Sequence, residues 1–196
     1  MSFIPAFELG LWNAWIFMIW TILIPILLGF LIKEKGVTKI LRTSVPMKYE
    51  KPLNVISMGA VIFGFLYSIF LPLIINSIWF YIGLLIFLFG FIFNLSILIT
   101  LRSANPDKPF TNGPYKYSRH PGYFSLFMIM ISISIISVSW VFLLITIICG
   151  IHLIIVTPVE EKYCLEKYGK VYKEYIERTP RWIGLPKSGK NKSFNS

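Results

Sequence analysis

The chain has 196 residues, 56% of them hydrophobic and 14% charged, with a formal net charge of +10. This apolar share exceeds that of a soluble domain, and the positive charge lies between apolar runs rather than within them. Composition therefore points away from a nucleic-acid binder and towards a multispanning membrane protein with basic edges. The two cysteines, Cys149 and Cys164, offer no disulfide framework. No signal peptide stands out, because the first apolar run is long enough to span and no positive residue precedes it.

A spanning helix needs roughly 20 apolar residues. The first expected span runs from about Leu11 to Ile32, with Trp12, Trp15 and Trp20 near its start and Pro25 as a candidate kink. A polar loop, Lys33 to Lys51, leads to a second span from about Leu53 to Ile75. There Ala60, Gly64 and Ser68 form a stripe of small residues suited to close helix packing. After a short break at Asn76 and Ser77, the third span runs from about Trp79 to Leu101, with Gly83 and Gly90 marking a packing face. The loop Arg102 to His120 follows. Spans four, about Pro121 to Ser137, and five, about Trp140 to Thr157, are joined by a connection so short that they form a tight helical hairpin. Val159 to Arg178 keeps helical spacing, and Leu165, Tyr168, Tyr172, Tyr175 and Ile176 share one face. This predicts an amphipathic helix, weakened at Gly169, that lies against the membrane face or the loops. The Lys-, Asn- and Ser-rich residues 187–196 read as a disordered tail. The expectation is an all-α integral membrane domain of five transmembrane helices plus a cytosolic amphipathic helix. Residues 1–101 carry the first three spans, and residues 102–186 the functional region.

Charge placement supports this count. Six Lys and Arg lie between Lys33 and Lys51, four between Arg102 and Arg119, and nine from Lys162 onward, which accounts for all 19. Five spans put all three basic segments on one side. By the positive-inside rule that side is cytosolic, with the N-terminus outside and the C-terminus inside.

The hairpin has a chemical consequence. Its helices are antiparallel, so the residues just before span four meet those just after span five. Arg119 and His120 are thereby expected beside Glu160 and Glu161 at the cytosolic interface, among Tyr115, Tyr117 and Tyr123. Pro121 suits the first turn of a helix, so anything anionic bound there would meet two cationic side chains and a helix N-terminus. The plainer readings are solvated topology determinants for Lys116 and Arg119, an exposed helix start for the glutamates, and belt aromatics for the tyrosines.

The ordered set Gly113-Pro-Tyr115-Lys-Tyr-Ser-Arg119-His120-Pro121-Gly-Tyr123, then Glu160-Glu161, then Tyr168-Gly169-Lys-Val-Tyr172-Lys-Glu-Tyr175, resembles the isoprenylcysteine carboxyl methyltransferase family, whose wider group includes phospholipid methyltransferases. The likeness covers roughly residues 100–186 and suggests a compact prokaryotic member. It implies methyl transfer from S-adenosylmethionine, with S-adenosylhomocysteine as product, to a lipidic or prenylated acceptor at the cytosolic face. Carried over by position, the cofactor-contacting candidates are Thr100, Asp107, Lys108, Pro109, Phe110, Tyr115, His120, Pro121, Gly122 and Tyr123. The catalytic candidates are Glu160, Glu161 and Arg119. Val156 stands where members that methylate prenylcysteine carry an arginine. A carboxylate acceptor is already ionised at neutral pH, so alignment is the main requirement, and proximity can supply several kcal/mol. In this reading Arg119 and His120 hold the methionyl carboxylate, Tyr115 and Tyr123 pack on the adenine or face the sulfonium, and a glutamate pairs with the ammonium or orients the acceptor.

Two other readings stay open. One is N-methylation of a phospholipid amine; the other, of a different class, is a small transporter or membrane scaffold. The one-sided polar cluster weighs against transport, whose sites usually lie near the midplane. No nucleic-acid or obligate protein partner is indicated, only membrane lipids and the acceptor. His152, inside span five, is either functional or bonded to a neighbouring helix. Cys149 and His152 are too few for a metal site. Asn94 reads as an interhelical hydrogen bond.

Overall fold

Small residues at helical spacing mark the seams along which the helices meet. The computed structural model describes residues 8–21, 23, 51–102 and 107–187, with backbone alone for 51–58 and 102. Residues 15–21 are helical, and the longer elements are α1 Lys51–Ile69, α2 Ile78–Arg102, a 3-10 turn Gly113–Lys116, α3 Pro121–Ile136, α4 Trp140–Tyr168 and α5 Lys170–Arg178. Among the described residues the one β feature is an isolated bridge between Asn13 and Pro72.

The expected second span is shorter than its apolar run, because α1 stops at Ile69. Pro72 cannot donate to a helix and disfavours helical geometry at Leu71. Residues around it instead pair with the N-terminal segment: Ala14 N–H donates to Leu71 O at 2.9 Å and Leu73 N–H to Trp12 O at 3.3 Å. Buried Asn13 donates its side-chain amide to Ile69 O at 2.7 Å, satisfying a carbonyl at the end of α1. Residues 11–14 are thus pairing backbone rather than the start of a span. Most of the expected first span lies outside the described residues.

The stripes pack as expected. Gly64 faces Ile145 and Phe142 of α4, while Gly83 and Gly90 face α3. At Gly83 an added Cβ would stand 2.5 Å from Ile136 Cγ1 and 2.8 Å from Ser132 O, so α2 and α3 are in backbone-close contact there. Asn94 donates to Ser125 Oγ at 2.8 Å across the same seam. Ser77 accepts from Phe80 N–H at 3.1 Å and caps α2. The hairpin turn is held by Ser139, whose N–H donates to Ser134 O at 3.0 Å and whose hydroxyl accepts from Phe142 N–H at 3.2 Å.

The last expected helix is divided differently. α4 does not end at Thr157 but runs through Pro158 to Tyr168. Proline deprives the Ile154 carbonyl of its usual donor, and the Thr157 hydroxyl donates to that oxygen at 3.3 Å. The break comes instead at Gly169, with φ +55, in backbone space that only glycine enters readily. α5 then folds back, burying Tyr172 and Tyr175. Its apolar face meets the α4 end and the loop before α3. Lys187 N–H donates to Arg178 O at 2.8 Å, and the remaining tail residues lie outside the described set.

Ile78–Leu101 and Trp140–Tyr168 are long and apolar enough to cross a membrane, each with mean hydropathy 2.6. The five-span count rests on more than the described residues supply. Ile78, Leu85, Ile92 and Ile99, seven residues apart on α2, are 64% to 73% exposed, a continuous apolar face that suits lipid.

Candidate active site

The loop before α3 is shaped from beneath. Gly113 has φ +57 and sits against Thr100, whose hydroxyl donates to Ser96 O at 2.9 Å and occupies the place a Cβ would take. The Tyr175 hydroxyl donates to Tyr115 O at 2.7 Å and reaches Ser118 O at 3.3 Å. On the other side a strap of the last described residues closes over it: Arg119 N–H donates to Pro180 O and Gly184 N–H to Tyr117 O, both at 3.0 Å. Held on both sides, Arg119 and His120 point inward at the start of α3.

There they meet the glutamates. Glu161, 7% exposed at its side chain, is a hub for cations: Arg119 Nε at 3.3 Å, His120 Nε2 at 3.2 Å, and Arg181, which donates Nε at 3.0 Å and Nη2 at 2.7 Å. The fork on both carboxylate oxygens is the strongest geometry available to such a pair. Glu160 accepts from the Tyr123 hydroxyl, and its Oε2 lies 3.4 Å from His120 Nδ1. His120 therefore bridges both carboxylates and stacks parallel to the Tyr123 ring, with 5.7 Å between centroids. Burial works against its charged form, yet the hydrogen bonds it donates to Glu160 and Glu161, with their charges, outweigh burial, and its pKa is raised. Tyr115 is pushed up to about 12 by burial and then by the Glu160 charge, so it stays a neutral phenol.

These groups border a cavity of about 310 Å³, at the small end of ligand sites. Of the expected residues, Pro109, Phe110, Tyr115, Arg119, His120, Pro121, Gly122, Tyr123 and Glu160 line it. Thr100 supports the loop from below. Asp107 and Lys108 are exposed and outside the lining, and Glu161 sits behind it as an anchor. Arg119 Nε is buried and makes no aligned hydrogen bond among the described residues, despite its closeness to Glu161. A guanidinium donor in that state, on the wall of a cavity, suits an anionic ligand group.

Sequence reasoning missed Arg181 and Trp182, and did not assign Cys164, Tyr168, Tyr172 and Tyr175 to the lining. The tyrosine face was visible as a periodicity. Arg181 left one weaker sign: two adjacent carboxylates drawn out of water call for more countercharge than one arginine and one histidine provide. Tyr123 and Trp182 also border a second, apolar groove of about 380 Å³ between α3 and α4, which includes Phe127, Gly150 and Ile154.

Residues 78–171 match the phospholipid methyltransferase family, a stretch that begins with α2 and ends in α5 and spans a little under half of the chain. The match names the phospholipid relatives rather than the isoprenylcysteine enzymes. It stops before Arg181. No curated protein matches the chain.

Proposed function

We propose that this chain is an integral membrane methyltransferase that binds S-adenosylmethionine in the 310 Å³ cavity and methylates a lipidic acceptor. The observation that carries this reading is the meeting of a donor-bearing cavity with an apolar groove, Tyr123 forming a wall of both. A water-borne cofactor and a lipid-borne acceptor can reach one residue from opposite sides. The similarity to phospholipid methyltransferases supports the same chemistry.

Bound there, S-adenosylmethionine would supply a methyl group on a positively charged sulfur. The residues have separable tasks. Arg119 holds the amino acid carboxylate through its unaligned Nε–H, while His120, with both ring nitrogens on Glu160 and Glu161, keeps the two glutamates in place. Tyr115 and the tyrosines of α5 pack the aromatic part and keep water out. Tyr123 fixes Glu160, whose carboxylate faces the reacting end of the acceptor. Glu161 holds Arg119, His120 and Arg181 in place from behind.

For the acceptor, a phospholipid amine now stands ahead of a prenylcysteine carboxylate. Glu160 brings a carboxyl group to the cavity wall, an acceptor that suits an ammonium N–H better than a second carboxylate. Val156 is buried and apolar where prenylcysteine enzymes carry an arginine. Glu160 would take the proton that a lipid ammonium must lose before its nitrogen can accept a methyl group. In this reading the basic segments lie on the cytosolic side, as the positive-inside rule favours, and the site faces the cytosol with them.

Calorimetry of S-adenosylhomocysteine with the purified protein in detergent tests the reading. Wild type should bind, and Arg119→Gln should bind at least tenfold more weakly, the scale of a lost charged hydrogen bond. Radiolabelled methyl transfer to phosphatidylethanolamine and to a prenylcysteine then separates the acceptors. A folded wild type that binds no S-adenosylhomocysteine removes the methyltransferase reading.

A further inference from the structure

His152 has no role in the site above, yet it is 7% exposed in the apolar stretch of α4. No hydrogen bond or ion pair reaches it from any described residue. It lines a small cavity of about 140 Å³ walled mostly by apolar side chains, among them Val61 of α1 and Phe127 of α3, with Cys149 and Tyr123. A neutral imidazole offers one N–H donor and one ring-nitrogen acceptor, and leaving both unmade in a membrane interior is costly. The cavity touches the methyl-transfer site through Tyr123 and the apolar groove through Tyr123, Phe127 and Leu153. It is therefore an apolar pocket with one imidazole that no described residue bonds, set beside the path an acceptor would take.

Depth selects what could fill it. His152 precedes Glu160 by eight residues on one helix, a rise of about 12 Å. In a glycerophospholipid the oxygens that link the chains to glycerol lie about nine bonds from the amine, roughly 10 Å at the ~1.2 Å per bond of an extended chain. In a prenylcysteine the thioether sulfur is only a few bonds from the carboxylate, and everything deeper is hydrocarbon. A buried hydrogen-bonding group at this level has a partner in the first acceptor and none in the second.

We propose that His152 is a specificity-determining residue that hydrogen-bonds a glycerol-linkage oxygen of the acceptor lipid, so that the head group sits at Glu160 while the chains leave through the apolar groove. This rests on the lipid methyl-transfer reading and narrows its acceptor to glycerolipids. Native mass spectrometry of the full chain in detergent tests it with two probes. One is dioleoylphosphatidylethanolamine. The other is hexadecylphosphoethanolamine, which keeps the head group and a chain but lacks the glycerol oxygens. Wild type should retain the glycerolipid roughly three- to tenfold better than the alkyl probe, the scale of one net hydrogen bond. His152→Phe should abolish that preference and His152→Gln should keep part of it. Val61→Phe, which fills the cavity from α1 and leaves His152 in the chain, should also abolish it and covers the case of a poorly folded His152→Phe. S-adenosylhomocysteine binding should persist in each variant. A preference absent from wild type, or undiminished in His152→Phe and Val61→Phe, overturns the inference while the methyltransferase reading stands. Loss of S-adenosylhomocysteine binding in wild type overturns both.

Discussion

Replacing Glu161 by Gln separates anchoring from chemistry. The carboxylate is 7% exposed at its side chain and faces Arg119, His120 and Arg181 within 3.3 Å. Removing one partner of a buried charge pair costs about 3–5 kcal/mol, because the remaining charge is left uncompensated. Arg181 is 39% exposed and regains water, so its share is screened and the expected loss is about 2–4 kcal/mol. For a chain of this length each kcal/mol moves the midpoint by about 2–4 °C, which gives a fall of about 4–16 °C. Tryptophan fluorescence during heating in detergent, at a fixed scan rate, measures it. Because Arg181 and Glu161 share one interaction, Glu161→Gln with Arg181→Ala should lose less than the two single changes added together. Glu160→Gln, at a carboxylate 21% exposed, should shift the midpoint far less while it abolishes methyl transfer. A Glu161→Gln midpoint within about 2 °C of wild type would refute the assignment of Glu161 as the anchor.

Three further outcomes follow from the same geometry. Gly83→Leu forces α2 from the Ser132 carbonyl and Ile136, and should lower stability by at least the 1–3 kcal/mol of ordinary overpacking, read as a midpoint shift in detergent. His120 has a raised pKa, so its protonated form contributes stability fully below its usual 6.5 and loses that contribution as pH rises through the higher folded value. Wild type should therefore lose more thermal stability than His120→Gln between pH 6 and pH 9, and parallel curves would count against the bridge to the glutamates. Thr157→Val leaves the Ile154 carbonyl without its replacement donor beside Pro158 and should cost about 1 kcal/mol, with amide hydrogen exchange faster around residue 158 than elsewhere in α4.

The meeting of His120 with Glu160 and Glu161 was legible in the sequence because a short antiparallel hairpin maps one helix onto the other residue by residue. The seams at Gly64, Gly83 and Gly90 were legible for a related reason: only small residues allow close helix approach, and their spacing survives in the sequence. The end of the helix that carries span five was misread through Pro158, since a proline signals a helix end unless a neighbour mends the missing bond. Thr157 does so, and nothing in the pattern marks that hydroxyl as different from any other. The break at Gly169 was seen as a weakness rather than a boundary. Asn13 and Arg181 lay beyond periodicity altogether. Each acts from an irregular segment on a partner chosen by the folded surface.

The two adjacent glutamates show how one helix turns a sequence pair into two roles. Consecutive helical residues point about 100° apart, so Glu160 and Glu161 cannot both face the same cavity squarely. The continuous run of α4 through Pro158 fixes which is which: Glu160 joins the lining with Tyr123, and Glu161 turns to Arg181 and the strap. Had α4 ended at Thr157, the pair would lie in the first turn of a separate helix and its orientation would depend on a flexible joint. The continuous helix thus leaves Glu160 on the cavity wall while Glu161 is spent on holding Arg119 and His120. Exchanging the two roles would require a rotation of α4 that moves Ile145 away from its seam with Gly64.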